Sequence, residues 1–246
     1  MMKILTFRNT LLLTLVFSFG FALVRNEPKD SDRLIHSWNQ HVYSSYACIQ
    51  DTSLNREAFD FALRGYYALV DQGRVENEKY LTVVDFTQHS SRKRFYVIDM
   101  VTFQVAYKSY CSHGKNTGGE MAEQFSNRSG SLQSSLGFYL TSETYSGKFD
   151  HALRLDGLES SNFRARDRGI VVHGAEYATE RFMVKNDSVL GRSYGCPALP
   201  IEESTEIIET IKEGSCFFIY AGQSRYNQTS KLIRPEYFLN RIEDFI

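Results

Sequence analysis

The stretch YLTVVDFTQHSSRKRFYVIDMVTFQVAYKSY, residues 80–110, decides the fold. Apolar residues recur with a period of two in YLTVVDFTQ, KRFYVIDM and FQVAYKSY, and the polar SSRK and the short MVT between them supply turns. Side chains on a strand alternate between faces, so each run can bury one face, and three runs joined by short turns read as a meander. Further along, LGFYLTSE, HALRLDGL and RGIVVHG continue the strand pattern, and the last of them ends at His173. Between the two groups lies CSHGKNTGGEMAEQFSNRSGSLQSS, residues 111–135. It is rich in Gly, Ser and Asn and has little periodicity, which predicts a long surface loop.

Helical spacing appears on either side of the strands. In SLNREAFDFALRGYYALVDQGR, residues Phe59, Ala62, Leu63, Tyr66, Leu69 and Val70 share one face and Gly73 stands at the stop, which predicts a helix over 54–72. The earlier HSWNQHVYSSYACIQ is ambiguous; a short helix would put Trp38, Val42 and Tyr46 on one face. IEESTEIIETIKEG gathers Ile201, Ile207, Ile208 and Ile211, has Glu202 and Glu203 in its first turn and is followed by Gly214. SCFFIYAG then reads as a buried strand, and the tail over 223–246 as a short terminal helix. The expected architecture is a mainly β domain with a helix before it and a helix after Cys196.

Lys plus Arg number 28 against 29 Asp plus Glu, without blocks of one sign, so the footprint of a nucleic-acid binder is missing. At 246 residues the prior is one main domain with trimmings. Lys3 and Arg8 precede an apolar run from Leu11 to Val24, the layout of a secretory signal or an N-terminal anchor over residues 1–24. The run is shorter than the ~20 apolar residues of a spanning helix. Residues 25–78 then form a linker and helical segment. Export would favour disulfides, and Cys48, Cys111, Cys196 and Cys216 could pair in three ways; a thiol kept for chemistry would leave an odd three.

The chemistry rests on two short stretches, VVHGAEY and GRSYGCPALP. Cys196 is either a buried small hydrophobe or a nucleophile, and a free thiol needs a neighbour that lowers its pKa before it can react at neutral pH. His173, at the end of an apolar strand and before Gly174, is the candidate base. Gly195 allows a sharp turn in which the N–H groups of Tyr194, Gly195 and Cys196 could cradle an oxyanion. Both residues are expected at an exposed cleft. Cys111-Ser-His113 has no second pair at zinc-ligand spacing, so no metal is expected, and His113 reads as a loop histidine lining the cleft beside Ser135.

Together these stretches resemble the murein L,D-transpeptidase catalytic domain family, whose signature is His-Gly after a strand and then, past a spacer, Ser/Thr-His-Gly-Cys. Ser-Tyr-Gly-Cys-Pro-Ala-Leu-Pro, residues 193–200, is similar to a divergent branch in which an aromatic residue replaces the second histidine. The likeness runs over about residues 80–222, within an expected catalytic domain of 79–222, and implies a β-sandwich or barrel-like fold. It implies Cys196 as nucleophile, His173 as base, the Gly174 carbonyl as the group orienting the imidazole, and an oxyanion hole at Tyr194, Gly195 and Cys196. Substrate contacts would come from Ser193, His113 and Ser135. Ala198 stands where the commoner signature has an Arg, so Arg192 either supplies that charge or is a solvated surface residue. The implied reaction is acyl transfer between peptidoglycan stem peptides through a Cys196 thioester, without metal or organic cofactor, in the periplasm or envelope of a bacterium. The alternatives are an L,D-carboxypeptidase, with water as acceptor, and a non-catalytic wall-binding module.

Overall fold

The computed structural model describes residues 30–147 and 150–238. The secretory signal or anchor expected over 1–24 and the end of the tail lie outside the described residues. Among those described, no helix is long and apolar enough to cross a membrane.

The three alternating runs form β1 (Tyr80–Asp85), β2 (Phe95–Asp99) and β3 (Gln104–Ser109), an antiparallel meander. They are followed by β4 (Gly137–Gly147), β5 (Asp150–Gly157), β6 (Val171–Ala175), β7 (Ala198–Pro200) and β8 (Cys216–Tyr220). All eight join one sheet in the order β3-β2-β1-β8-β4-β5-β6-β7. The mainly β architecture is thus present as one eight-stranded sheet, in which β1–β8 and β6–β7 pair in parallel. Every residue of β8 is buried, which explains why CFFIY is a continuous apolar run rather than an alternating one.

Among the described residues six α-helices accompany the sheet: α1 (Asp30–Ile49), α2 (Arg56–Asp71), α3 (Glu180–Val184), α4 (Ile201–Ile211), α5 (Ser224–Thr229) and α6 (Pro235–Phe238). The Asn55 side chain caps α2 by accepting from the N–H groups of Glu57 and Ala58. Gly73, at φ 63°, ends it: its N–H reaches the Val70 carbonyl at 2.9 Å, and that of Arg74 reaches Leu69 at 3.0 Å, a Schellman motif. The apolar face of α2 packs against β1 and β8, while α4 packs against β1, β5, β6 and β7.

Three expectations need correction. The segment around Trp38 is a full 20-residue helix that starts at Asp30, inside the expected linker. Trp38 anchors it to α2 through an indole N–H to Asp60 at 2.8 Å, and packs on Phe238 with centroids 4.4 Å apart. Ile201, the first residue of α4, is 51% exposed and lies off the buried face; Ile207, Ile208 and Ile211 carry that face. The loop of residues 111–135 lies on the surface through most of its middle, as expected, but its two ends are tucked inward: Cys111, Ser112, His113 and Thr117 at its start and Ser134 and Ser135 at its end are buried.

Candidate active site

β6 brings His173 into the sheet and β7 brings the chain back beside it, with His173 in register with Ala198. Cys196 lies two residues before that partner, on the turn leading into β7. His173 is 1% exposed and Cys196 8%, so neither stands at an open cleft as the sequence suggests. The reason is the inward loop, whose segment 112–115 runs along 193–198. Ser193 N–H donates to the His113 carbonyl at 3.0 Å, Lys115 N–H to Ser193 at 2.7 Å and Ser112 N–H to Ala198 at 2.8 Å.

The imidazole has a defined tautomer. His173 Nδ1 lies 2.9 Å from the Gly174 carbonyl, which can only accept, so Nδ1 carries the proton and Nε2 the lone pair. Burial holds the imidazole below its usual pKa, and the Gly174 carbonyl partly offsets this. Burial raises the Cys196 thiol, against the opposing effects of the Val171 N–H and the Arg168 charge. The resting pair is therefore neutral on both sides. The thiol points at the backbone leading into β6, where it donates to the Gly169 carbonyl at 3.7 Å.

The turn itself is locked from two sides. Gly195 sits at φ +125°, and a side chain there would meet the Gln133 carbonyl at 2.8 Å, so the position requires glycine. Ser193 Oγ accepts from Gly195 N–H at 3.1 Å and donates to the Cys196 carbonyl at 2.6 Å. Ser134 Oγ donates to the Gly195 carbonyl at 3.1 Å and accepts from Gly114 N–H at 3.0 Å.

Several candidate residues take other places than expected. Ser193 is inside the turn as its brace rather than facing substrate. Gly195 N–H is bonded to Ser193 and is not directed at an oxyanion. Arg192 does not project as a substrate cation: its guanidinium donates to the carbonyls of Gly118, Gly119, Leu190 and Gly191, tying two loops together. His113 is fully buried away from any cleft. It accepts from Arg94 through Nδ1 at 2.7 Å and donates through Nε2 to Gly118 at 3.1 Å. Burial, with the Arg94 and Arg192 charges, pushes its pKa down to about 3. Ser135 is also internal, bonded to the Tyr139 hydroxyl at 2.7 Å. Tyr194 is 69% exposed and does face solvent.

Two neighbours went unmarked in the sequence. Tyr177, on the 3₁₀ turn Glu176–Ala178 after β6, sets its ring edge-on to His173 with centroids 6.4 Å apart. Arg168 reaches the turn from the segment before β6, and one of three arginines in RARDRG carries no motif. All four cysteines are free thiols, with Cys48 exposed and the other three buried. Among the described residues no cluster of His, Cys, Asp and Glu could hold a metal ion. A cavity of about 620 Å³, lined by Phe125, Ser126, Ser161 and Tyr226 among others, does not include His173 or Cys196 in its lining.

A family model described as the L,D-transpeptidase catalytic domain matches residues 50–220, from just before α2 to the end of β8. No curated protein matches. Among solved structures the chain is similar to an L,D-transpeptidase from Mycobacterium smegmatis, at 15% identity and a TM-score of 0.37 over 58% of this chain and 59% of that one. It is also similar to L,D-transpeptidase 3 from Mycobacterium tuberculosis, at 14% identity and a TM-score of 0.38, over 58% of this chain and 61% of the other. The same mycobacterial protein in complex with a faropenem-derived adduct gives 15% identity and a TM-score of 0.37, with 57% and 60% covered. The chain thus spans about 60% of the length of these proteins. On the match over residues 50–220, which takes in every strand of the sheet, this chain belongs to the L,D-transpeptidase catalytic domain family.

Proposed function

We propose that this protein is an exported peptidoglycan L,D-transpeptidase in which Cys196 is the nucleophile and His173 the base. The observation that carries the reading is the imidazole: Gly174 fixes the proton on Nδ1, so Nε2 is the nitrogen able to take the thiol proton, on a strand paired with the one that follows Cys196. Family membership supplies the substrate class.

The steps balance as an acyl transfer. His173 Nε2 takes the Cys196 proton while sulfur attacks the carbonyl of the diamino acid in a tetrapeptide stem. The C–N bond to the terminal D-alanine then breaks, the His173 proton goes to the leaving amine, and a thioester remains. An amine of a second stem attacks the thioester and its surplus proton passes to His173, so that the released thiolate can be reprotonated. With Gly195 N–H held by Ser193, the N–H groups of Tyr194 and Cys196 are the oxyanion donors in this reading. Both ionised forms are disfavoured by burial, so the neutral pair is the resting form from which the reaction starts.

Mass spectrometry of muropeptide tetrapeptides incubated with wild type and Cys196→Ala tests this. Loss of D-alanine with dimer formation, absent in the variant, is the expected result. Loss without dimers would assign an L,D-carboxypeptidase. Substrate left intact by the wild type would overturn the reading in favour of a wall-binding module.

A further inference from the structure

Arg168 is a half-buried cation whose partners carry no charge. Its NH1 donates to the Ser126 carbonyl at 2.7 Å and to Ser135 Oγ at 3.4 Å. Its NH2 donates to the Gln133 carbonyl at 2.5 Å and to Ser131 Oγ at 3.4 Å. Among the described residues no carboxylate pairs with it. Arg166, two positions earlier and more exposed, is by contrast bridged to Asp156 and Glu143. A cation withdrawn from water without an anion is costly, and such charges are normally paired.

The missing anion can be found by elimination. Two ionisable groups act on Arg168 electrostatically, the Tyr139 phenol and the Cys196 thiol. Tyr139 is fully buried, its hydroxyl donates to the Ser135 carbonyl at 2.8 Å, and burial keeps it protonated. Cys196 is adjacent by two measures: Arg168 NH2 lies 3.1 Å from where a Gly195 side chain would begin, and the thiol donates to the carbonyl of Gly169, the next residue after Arg168. The other titratable groups beside Cys196 are His173 on β6, which leaves the site neutral at rest, and Tyr177, whose phenol burial keeps neutral. Arg168 is thus the permanent charge of the site.

We propose that Arg168 is the countercharge of the Cys196 thiolate and, through Ser126 and Gln133, the tie that fixes the 126–135 loop against the nucleophile's turn. It is a positioning residue, and the proposal rests on the reading of Cys196 as the nucleophile. When the thiol proton leaves for His173, the negative sulfur forms beside a guanidinium already held in place, which needs no reorganisation at that moment. Arginine suits this role better than lysine, because its planar fork can bind two loop carbonyls and still present charge to sulfur.

Alkylation of the whole protein, with Cys196 and Cys48 quantified separately by peptide mass spectrometry, tests the pairing. In the wild type the anionic reagent iodoacetate, relative to neutral iodoacetamide, should favour Cys196 several-fold over exposed Cys48. Arg168→Gln should move the pH midpoint of Cys196 alkylation up by about one unit, an approximately tenfold loss of rate at neutral pH. Arg168→Lys should keep most of the wild-type profile. An unmoved midpoint in folded Arg168→Gln overturns the proposal. If that variant does not fold, a wild-type reagent preference at Cys196 no greater than at Cys48 overturns it instead. Tetrapeptides untouched by the wild type, with the midpoint still moving, would sink the transpeptidase reading and leave the pairing standing.

Discussion

Removing the Ser193 hydroxyl should loosen the turn that carries Cys196 by a predictable amount. Ser193 is 4% exposed, and its Oγ makes two bonds, to the Cys196 carbonyl at 2.6 Å and from Gly195 N–H at 3.1 Å. Alanine deletes both and strands a buried donor and acceptor, which puts the cost at roughly 2–4 kcal/mol. For a chain of this size that is about 5–15 °C in melting temperature. Ser134→Ala should cost a similar amount, because Ser134 holds the other side of the Gly195 peptide at 3.1 Å and is 1% exposed. The two hydroxyls clamp one glycine, so the double variant should fall short of the sum by about 1 kcal/mol. Urea unfolding followed by circular dichroism gives the free energies, and D-alanine release gives the activity. Single variants within about 0.5 kcal/mol of wild type, or strict additivity, would refute the clamp.

Acid should destabilise the protein before its carboxylates titrate. His113 is held at about 3 against an ordinary 6.5, so below pH 6.5 the unfolded chain binds a proton that the folded chain refuses. Stability should then drop by up to about 1.4 kcal/mol per pH unit from this one group, and His41 and His173 act in the same direction. The slope between pH 6.5 and 5 should be shallower in His113→Gln; an equal slope would remove His113 from the account. Gly174→Ala should cost about 1–3 kcal/mol, because the new methyl meets Ser204 Oγ at 2.4 Å and the Ile201 backbone at 3.3 Å. The companion change Ser204→Gly should recover part of that in a thermal melt. Tyr194→Ala, at a 69% exposed position, should leave stability within about 0.5 kcal/mol while acylation of Cys196 is followed separately.

The strands other than β7, and the helices α2 and α4, were legible because each obeys a local rule. Alternation marks β1 to β3, Gly73 marks the end of α2, and the acidic first turn of α4 sits where the helix dipole favours it. The imidazole orienter was legible only through the family likeness. What escaped depends on residues distant in sequence. β7 is the three-residue ALP, too short to show a period, and exists because β6 pairs with it. His113 reads as a loop histidine lining the cleft until Arg94, on the chain entering β2, takes its ring nitrogen. The same holds for Ser134 and Ser193, ordinary serines in polar stretches whose partners only folding brings together. Arg168 sits in RARDRG, where nothing distinguishes it from Arg164 and Arg166.

The strand order has a consequence for how the chain assembles. β8 lies between β1 and β4, so the meander of residues 80–109 and the half-sheet that carries His173 and Cys196 are connected in the pairing order through residues 216–220. Among the described strands, this central one is therefore the last to be synthesised. Until it arrives, each half exposes an unpaired edge, and long-range pairings such as Leu81 with Cys216 and Gly137 with Ile219 must close to seal both, the kind of closure that slows folding and exposes a chain to aggregation. A ribosome still holding residues 216–220 would hold back the whole fold, with Cys196 already made and its sheet still in two pieces.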